Sequence, residues 1–383
     1  HKFGDVLLQQ VASRLKAICR RKNDYIARIG GDEFLVVLTD TANNTYTALT
    51  AGAIKEALSL PYSFAGKTLH SSPSIGIAVY PEDGLNASEL IKSADAAMYH
   101  AKKDSALSYS FFTKELNKQI EAKNYLEVEL RHALENLGFE LHYQPQIYLN
   151  KPNTYGVEAL IRWPHVSLGM VPPDQFIQLA EERGLIYDIG SWVIDTAFKQ
   201  LQTWSSQSDL EIKMAVNLSA YQIADQRFLG DLEASLKRHN VQPSMIELEV
   251  TESVAMKDPE QSVATLNKLR DMGFELAIDD FGTGYSSLAY LKVLPIQTLK
   301  LDKSFLDNME SDLNNVKICK AAISLSHDLG LLFVAEGVET AEQVKFLTEH
   351  KCDILQGFYF CRPQPAEQAL AFMQGFQLDN KLT

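Results

Sequence analysis

Short apolar stretches alternate with helical segments along most of this chain, and nearly all of the apolar stretches end in a charged or amide side chain. Tyr155–Trp163 and Phe274–Phe281 are examples, since both are rich in β-branched and aromatic residues and therefore predict strands. Asp174–Arg183 and Pro259–Met272 show helical spacing, and a glycine directly follows each of them as a stop signal. Strands that alternate with helices predict a parallel sheet.

The number of these strands indicates a closed barrel. Eight apolar stretches cover about 250 residues, the usual size of a (β/α)8 barrel. They are Phe139–Leu149, Tyr155–Trp163, Ile212–Ser219, Met245–Thr251, Phe274–Phe281, Gln297–Leu301, Leu331–Ala335 and Ile354–Phe360. In that fold the active site lies at the carboxyl ends of the strands. The polar residues at those ends are Glu158, Asn217, Glu249, Asp279, Asp280, Lys300, Glu336 and Gln356.

Carboxylates gathered at one end of a barrel need a cation. One acidic residue at a strand end is usually just solvated, but a close pair repels by about 4 kcal/mol at intermediate dielectric. The chain contains no Cys-x-x-Cys or His-x-x-x-His pair, so oxygen-seeking Mg2+ or Mn2+ fits better than zinc. Adjacent Asp279 and Asp280 could serve two ions. Two cations, a lysine and several carboxylates suit the attack of a metal-activated water on a phosphodiester.

The polar residues belong to seven short motifs in a characteristic order. They are Glu158-Ala-Leu160, Asn217-Leu-Ser219, Glu249-Val-Thr-Glu-Ser253, Asp279-Asp-Phe-Gly-Thr-Gly-Tyr-Ser-Ser287, Leu299-Lys-Leu-Asp302, Ala335-Glu-Gly-Val-Glu339 and Gln356-Gly-Phe358. One Glu-Ala-Leu tripeptide alone would carry no weight, but seven ordered motifs between about Leu126 and Pro365 do. They resemble the motifs of EAL-domain phosphodiesterases, enzymes that hydrolyse cyclic di-GMP to linear pGpG. The resemblance implies a metal-dependent hydrolase.

This resemblance also implies roles for individual residues. The metal ligands would be Glu158, Asn217, Glu249 and Asp279 for one ion, Asp279 and Asp280 for the second, and Glu252 and Glu336 to complete the inner shells. The substrate pocket would contain Gln144, Leu160, Arg162, Asp302 and Gln356, with Arg162 paired to a phosphate. Lys300 would position the attacking water, and Glu336, Asp280 and Lys300 all stay open as the general base. Glu339 would act from outside the ligand shell, and Gly282 and Gly284 would let their loop change shape.

The first hundred residues contain a second pattern. Asp24–Ile29 and Asp32–Leu38 are apolar runs joined at Gly30-Gly31, which predicts a β-hairpin with a two-residue turn. Gly30-Gly31-Asp32-Glu33-Phe34 resembles the GGDEF motif of diguanylate cyclases, in which the glycines let the backbone approach a nucleotide and the acidic residues bind metal. Arg21 and Asp24, just before it, resemble the Arg-x-x-Asp product-inhibition site of that family.

We therefore expect a partial α+β GGDEF domain at 1–105, a helical connector at 106–125 and an EAL barrel at 126–383. The chain enters the GGDEF domain midway, without the preceding strands, helix and metal-binding Asp of that family, so this piece is not expected to make cyclic di-GMP. Within a longer protein the GGDEF part would be a cyclase or a GTP-binding regulator. Two alternatives to the phosphodiesterase stay open: a non-catalytic cyclic di-GMP receptor, and a bifunctional cyclase and phosphodiesterase.

Charge and cysteine content limit the partners and the compartment. The net charge of −13 disfavours long nucleic acids, which need a basic face, but it permits a small cyclic dinucleotide held by metals and Arg162. The four cysteines show no paired spacing and no apolar run is long enough to cross a bilayer. We expect a cytoplasmic protein, or the cytoplasmic part of a larger sensor-linked or membrane-attached one. The resemblance also implies a homodimer through the EAL domain.

Overall fold

The chain forms two compact units, His1–Leu126 and Glu127–Thr383. A computed structural model describes residues 2–39, 44–64, 67–103, 109–151, 154–257, 259–283, 291–307, 309 and 312–376. Within those residues, no helix combines the length and the apolar character that crossing a bilayer requires.

The first unit is an α+β structure, as predicted. Its elements are α1 (Lys2–Ile18), β1 (Tyr25–Gly30), β2 (Glu33–Val37), α2 (Asn44–Ser59), β3 (Tyr62–Phe64), β4 (Lys67–Leu69), β5 (Gly76–Ile77), α3 (Ala87–Lys103) and β6 (Ser110–Phe111). Leu15 of α1 and Ile54 and Leu58 of α2 form its buried core, and Ile26 and Phe34 of the β1–β2 hairpin pack against them. Helices therefore cover one face of an antiparallel hairpin.

The hairpin turn lies one residue later than predicted. Gly30 pairs with Glu33, so the turn residues are Gly31 and Asp32 rather than the two glycines. The turn needs a left-handed residue, which Gly31 supplies with a φ of 49°. Arg28 Nε and Nη2 donate to the carbonyl oxygen of Gly31 at 3.0 and 2.7 Å and hold the turn.

The predicted connector is helical only in its later part. Ser110–Phe111 pairs in parallel with Gly76–Ile77, and residues 104–108 lie outside the described part of the chain. Helix α4 (Lys114–Glu135) begins after Thr113, whose Oγ1 accepts a hydrogen bond from the Leu116 backbone N–H at 3.1 Å. Pairing with β5 therefore overrides helix formation at the start of the connector. Helix α4 contains the boundary between the two units.

The second unit is a closed TIM-like barrel. Its strands are β7 (Glu140–Tyr148), β8 (Thr154–His165), β9 (Gly169–Val171), β10 (Glu211–Leu218), β11 (Ile246–Thr251), β12 (Glu275–Phe281), β13 (Thr298–Leu301), β14 (Leu332–Ala335) and β15 (Ile354–Leu355). They form one nine-stranded sheet, in which pairing of β8 with β10 closes a ring of eight and β9 extends β8 outside it. The predicted barrel fold is therefore confirmed.

Helices surround this sheet. They are α5 (Pro173–Arg183), α6 (Ile186–Gln207), α7 (Ala220–Ala224), α8 (Phe228–His239), α9 (Glu252–Lys257), α10 (Pro259–Asp271), α11 (Leu313–Asp328), α12 (Ala341–Glu349) and α13 (Ala366–Gly375). The helix ends predicted from the two glycines are confirmed. Gly184 follows α5 with a φ of 70°, and Gly273 lies just beyond α10 with a φ of 98°.

Two details of the predicted sheet are wrong. Strand β7 runs antiparallel to both β8 and β15, because only a short connection joins β7 to β8 and a parallel pair needs a long crossover. The last strand ends at Leu355 instead of Phe360, because the chain then turns beside the loop after β14. There the Val338 N–H donates to Gln356 O at 3.0 Å, and a Cβ on Gly357 would lie 2.0 Å from Val338 O.

An aromatic cluster between α5 and the sheet predicts a large loss of stability on truncation. The Phe176 ring is fully buried, and its centroid lies 5.9 Å from that of Phe139 and 5.5 Å from that of Trp163. We expect Phe176→Ala to lower the free energy of unfolding of the barrel by about 3–5 kcal/mol in urea titrations. The control Val166→Ala, at a fully exposed position, should change it by less than about 0.5 kcal/mol. Equal effects of the two substitutions would contradict this packing.

Candidate functional site

A fully buried lysine lies at the centre of the barrel mouth. Lys300 Nζ is 2.7 Å from Glu249 Oε2 and 2.7 Å from Glu336 Oε1. It is also 3.5 Å from Asp279 Oδ1 and 3.7 Å from Glu158 Oε2. Strand alternation turns these side chains inward, and the parallel pairing brings their strand ends to the same side of the barrel. The structure thus brings together residues that are far apart in the sequence.

The carboxylates around Lys300 differ in how easily they ionise. Burial opposes ionisation of Glu158, but Lys300 and hydrogen bonds from Gln356 and Asn217 outweigh it and hold the pKa of Glu158 below its usual range. Burial raises the pKa of Glu249 well above its usual value, despite Lys300. Burial, together with the charges of Asp279 and Glu158, raises the pKa of Glu336 to about 8 against the effect of Lys300. The single ammonium group of Lys300 therefore does not neutralise the negative charge of the carboxylates around it.

The unbalanced carboxylates form two groups that could hold a cation. Oxygens of Glu158, Glu249 and Asp279 lie within 4.8 Å of one another, and the same holds for Asp279, Asp280 and Glu336. Glu249 Oε1 is buried and has no hydrogen-bond donor among the described residues. A buried carboxylate oxygen without a donor fits a metal ligand, and an all-oxygen donor set fits a hard divalent cation. Asp279 is common to both groups, so two neighbouring ions could share it.

Amide side chains hold both oxygens of Glu158. Asn217 Nδ2 donates to Glu158 Oε1 at 2.7 Å, and Gln356 Nε2 donates to Glu158 Oε2 at 2.6 Å. Gln356 Nε2 also lies 3.1 Å from Gln144 Oε1, and Gln146 Nε2 donates to Gln356 Oε1 at 2.9 Å. Gln146 was not among the site residues predicted from the sequence. Its position two residues after Gln144 was the available signal, because alternate residues of a strand face the same side.

The end of β12 and the turn that follows it contain two left-handed residues. Asp280 has a φ of 54°, which is uncommon outside glycine, and Gly282 has a φ of 97°. A Cβ on Gly282 would lie 2.8 Å from the Phe305 ring, so both the conformation and the space favour glycine there. Glu252 Oε2 accepts a hydrogen bond from the Gly282 N–H at 3.2 Å. This contact links the start of α9 to the turn that carries Asp280.

Glu252 does not join either carboxylate group in the described part of the chain. Its second oxygen, Oε1, is buried and has no hydrogen-bond partner there. Gly284, the second glycine expected to give this loop its freedom, lies outside the described residues.

The predicted substrate residues lie at or near the mouth. Glu158, Leu160 and Arg162 alternate along one face of β8. Burial lowers the pKa of Arg162, and the negative charges of Glu158 and Glu140 oppose this shift. Asp302 Oδ1 accepts from the Ser304 N–H at 3.0 Å and caps the short helix that follows β13. Glu339 is exposed, and its backbone N–H donates to Gln343 Oε1.

Within the first unit, the predicted motif residues lie on the hairpin. Gly30, Gly31, Asp32 and Glu33 are exposed, and only Phe34 packs into the core. The residues of the predicted inhibitory site make local contacts. Arg21 stacks over the Tyr46 ring at 3.7 Å, and Asp24 accepts hydrogen bonds from the Arg21 and Thr39 backbone N–H groups at 3.3 and 3.4 Å.

Comparison with known families agrees with this architecture. The family model of the EAL domain matches residues 127–363. The chain belongs to the EAL family. The model of the diguanylate cyclase GGDEF domain matches residues 1–106, so the chain is a tandem GGDEF–EAL protein.

Similar proteins include two from Pseudomonas aeruginosa. One is the bifunctional diguanylate cyclase/cyclic di-GMP phosphodiesterase MucR, 44% identical over 371 residues, which are 97% of this chain and 54% of MucR. Another is the cyclic di-GMP phosphodiesterase NbdA, 35% identical over 379 residues, which are 99% of this chain and 48% of NbdA. The chain thus spans about half the length of these curated relatives.

A solved structure shares the barrel of this EAL protein. It is described as the PaMucR phosphodiesterase in complex with c-di-GMP, and it is 45% identical with a TM-score of 0.61. The match covers 64% of this chain and 99% of that one.

The Lys300 cluster predicts a pH-dependent stability. Lys300→Met would leave buried carboxylates without their counter-charge, so we expect a loss of about 3–5 kcal/mol at pH 8 in the absence of divalent cations. Without the ammonium the carboxyl pKa values rise in the folded state, so protonation stabilises the variant as the pH falls. Urea titrations should therefore show a smaller loss at pH 5 than at pH 8.

A matched control for this variant is Lys268→Met, at an exposed position on α10, which should cost less than about 0.5 kcal/mol at both pH values. A loss that is equal at pH 5 and pH 8 for Lys300→Met would contradict the electrostatic account.

Proposed function

We propose that the EAL barrel is a metal-dependent phosphodiesterase that hydrolyses cyclic di-GMP to linear pGpG. The observation that carries this proposal is the pair of carboxylate groups that share Asp279 beside the buried Lys300. The names of MucR and NbdA, and the c-di-GMP complex of the PaMucR structure, support the choice of substrate.

Two Mg2+ or Mn2+ ions are the proposed cofactors. Glu158, Asn217, Glu249 and Asp279 would hold one ion, and Asp279, Asp280 and Glu336 would hold the other. Bound there, the ions would activate a water and neutralise the phosphodiester charge. We propose that Glu252, which accepts a hydrogen bond from the Gly282 N–H and lies outside both carboxylate groups, holds the turn that presents Asp280.

Side chains at the mouth would orient the attacking water and accept its proton. Lys300 holds Glu249 and Glu336 in place by hydrogen bonds at 2.7 Å, and its ammonium can orient a water that approaches them. An ammonium group has no lone pair to accept a proton, so Glu336 and Asp280 are better candidates for the general base than Lys300.

Substrate recognition is proposed for the residues that line the mouth. Arg162 has the fork geometry that pairs with a phosphate. Leu160 offers an apolar contact beside it on β8, while Gln144, Gln356 and Asp302 supply polar groups. Glu339, which is exposed, would act from the rim, and Gly282 and Gly284 would let the neighbouring loop adjust.

We propose that the GGDEF domain binds GTP and regulates the barrel, or supplies a second activity in a longer protein. The exposed Asp32 and Glu33 on the hairpin support a role in binding, and MucR is named as bifunctional. Arg21 and Asp24 are proposed to form a regulatory site. Homodimerisation through the EAL domain and a cytoplasmic location stay predictions.

Product analysis tests the phosphodiesterase. Purified protein should convert cyclic di-GMP to pGpG with Mg2+ or Mn2+, as measured by liquid chromatography, and a chelator should stop the reaction. Glu158→Ala should reduce turnover by at least about a hundredfold, because it removes a carboxylate common to the metal group and the Lys300 cluster. Arg21→Ala, in the other unit, serves as the control and should leave turnover within about twofold.

Unchanged turnover in Glu158→Ala would overturn the site. Tight binding of cyclic di-GMP by the wild-type protein without any pGpG would instead support the non-catalytic receptor.

The raised pKa of Glu336 predicts that cation binding depends on pH. Below about pH 8 this carboxyl holds a proton that competes with the cation, so Mn2+ affinity should increase as the pH rises from 6 to 8. Calorimetry in buffers of different ionisation enthalpy should detect proton release on Mn2+ binding. Glu336→Gln should release about one proton fewer for each binding event. An affinity that does not change between pH 6 and pH 8 would contradict this prediction.

A further inference from the structure

A buried glutamine that the proposed mechanism does not use lies next to the site. Gln146 of β7 is only 2% exposed, and its Nε2 donates to Gln356 Oε1 at 2.9 Å. Gln146 itself has no direct contact with the carboxylates of the two cation groups among the hydrogen bonds described. Its effect on the site must therefore pass through Gln356.

The contact with Gln146 holds the Gln356 amide in the orientation that suits Glu158. An amide has a donor end and an acceptor end, and the acceptor end, Oε1, is taken by Gln146. The donor end, Nε2, faces the opposite side, where it reaches Glu158 Oε2 at 2.6 Å and Gln144 Oε1 at 3.1 Å. That side requires a donor, because a carboxylate only accepts hydrogen bonds. A reversed amide would place its oxygen against the carboxylate and against another carbonyl oxygen.

A glycine makes room for this arrangement. Gly156 is the direct partner of Gln146 in the β7–β8 pairing, and it stands two residues before Glu158 on the same face of β8. A Cβ on Gly156 would lie 2.1 Å from Gln146 Oε1. Any larger residue would therefore displace the Gln146 amide rather than the barrel backbone.

We propose that Gln146 is a positioning residue for cation binding, which fixes the Gln356 amide so that its N–H group orients the Glu158 carboxylate. The inference rests on the proposed function only in taking Glu158 as a cation ligand. Outer hydrogen-bond partners of metal ligands typically contribute 10–100-fold to metal affinity.

The test measures Mn2+ binding to the full chain by calorimetry, without substrate. Gln146→Met keeps the volume and removes the donor, and we expect it to weaken Mn2+ binding by about 10-fold or more. Gly156→Ala keeps Gln146 but displaces its amide, and should weaken binding in the same direction. This second variant keeps the test decisive if Gln146→Met does not fold.

A double-mutant cycle separates positioning from general destabilisation. In a Gln356→Met background there is no amide to orient, so adding Gln146→Met should change Mn2+ affinity by less than about twofold. Gln297→Met is the matched control, because Gln297 is an amide just before β13 whose side chain, within the described residues, bonds only backbone groups, Leu276 N–H and Pro295 O. It should lower the unfolding temperature without changing Mn2+ affinity.

Three outcomes would overturn the proposal: wild-type Mn2+ affinity in both Gln146→Met and Gly156→Ala, additive effects in the cycle, or an equal loss of affinity in Gln297→Met. A wild-type protein that binds Mn2+ but makes no pGpG would refute the phosphodiesterase and leave the role of Gln146 standing. If the wild-type protein makes pGpG and the Gln146→Met variant binds Mn2+ normally, the phosphodiesterase stands and the role of Gln146 is refuted.

Discussion

The burial of Lys300 among four carboxylates is the interaction on which the barrel mouth depends. Two opposite charges about 4 Å apart attract by about 4 kcal/mol at an effective dielectric of 20, and like charges repel by a similar amount. Removing each ion from water costs several kcal/mol more. One ammonium cannot offset this for several acidic groups, so the cluster favours structures in which cations complete it. The carboxylates that could hold cations at the mouth therefore lower the stability of the folded barrel when no cation is bound.

The topology of the barrel explains why so many polar groups can be buried there. Parallel strands bring Glu249, Asp279 and Lys300 to one end, while the antiparallel β7 brings Gln144 and Gln146 to the side of Glu158. Polar pairing continues below the mouth. Thr298, two residues before Lys300, donates to Glu247, two residues before Glu249, at 2.5 Å. The polar interior therefore extends more than one layer into the barrel, and in this lower layer the Glu247 carboxylate has a hydrogen-bond donor, as buried polar groups usually do.

One of the left-handed residues other than glycine lies beside the same carboxylates. Asp280 adopts a left-handed conformation, which is unfavourable for any residue other than glycine. The hydrogen bond from the Gly282 N–H to Glu252 holds the chain in this conformation. Although Asp279 and Asp280 are consecutive, both place an oxygen within 4.8 Å of Glu336 and of each other, so Asp279 joins both carboxylate groups and Asp280 joins one. Strain, burial and charge therefore occur at one place in the fold.

The sequence by itself determined the local features and the identity of the charged residues. Apolar periodicity predicted strands near their observed positions, glycines after α5 and α10 marked the helix ends, and ordered motifs named the carboxylates and Lys300. Only the tertiary structure decided the direction of β7, the Glu252 contact and the role open to Gln146. The physical reason is range: periodicity reports the conformation and burial of neighbouring residues, whereas Gln146 meets Gln356 across 210 positions only because the barrel closes.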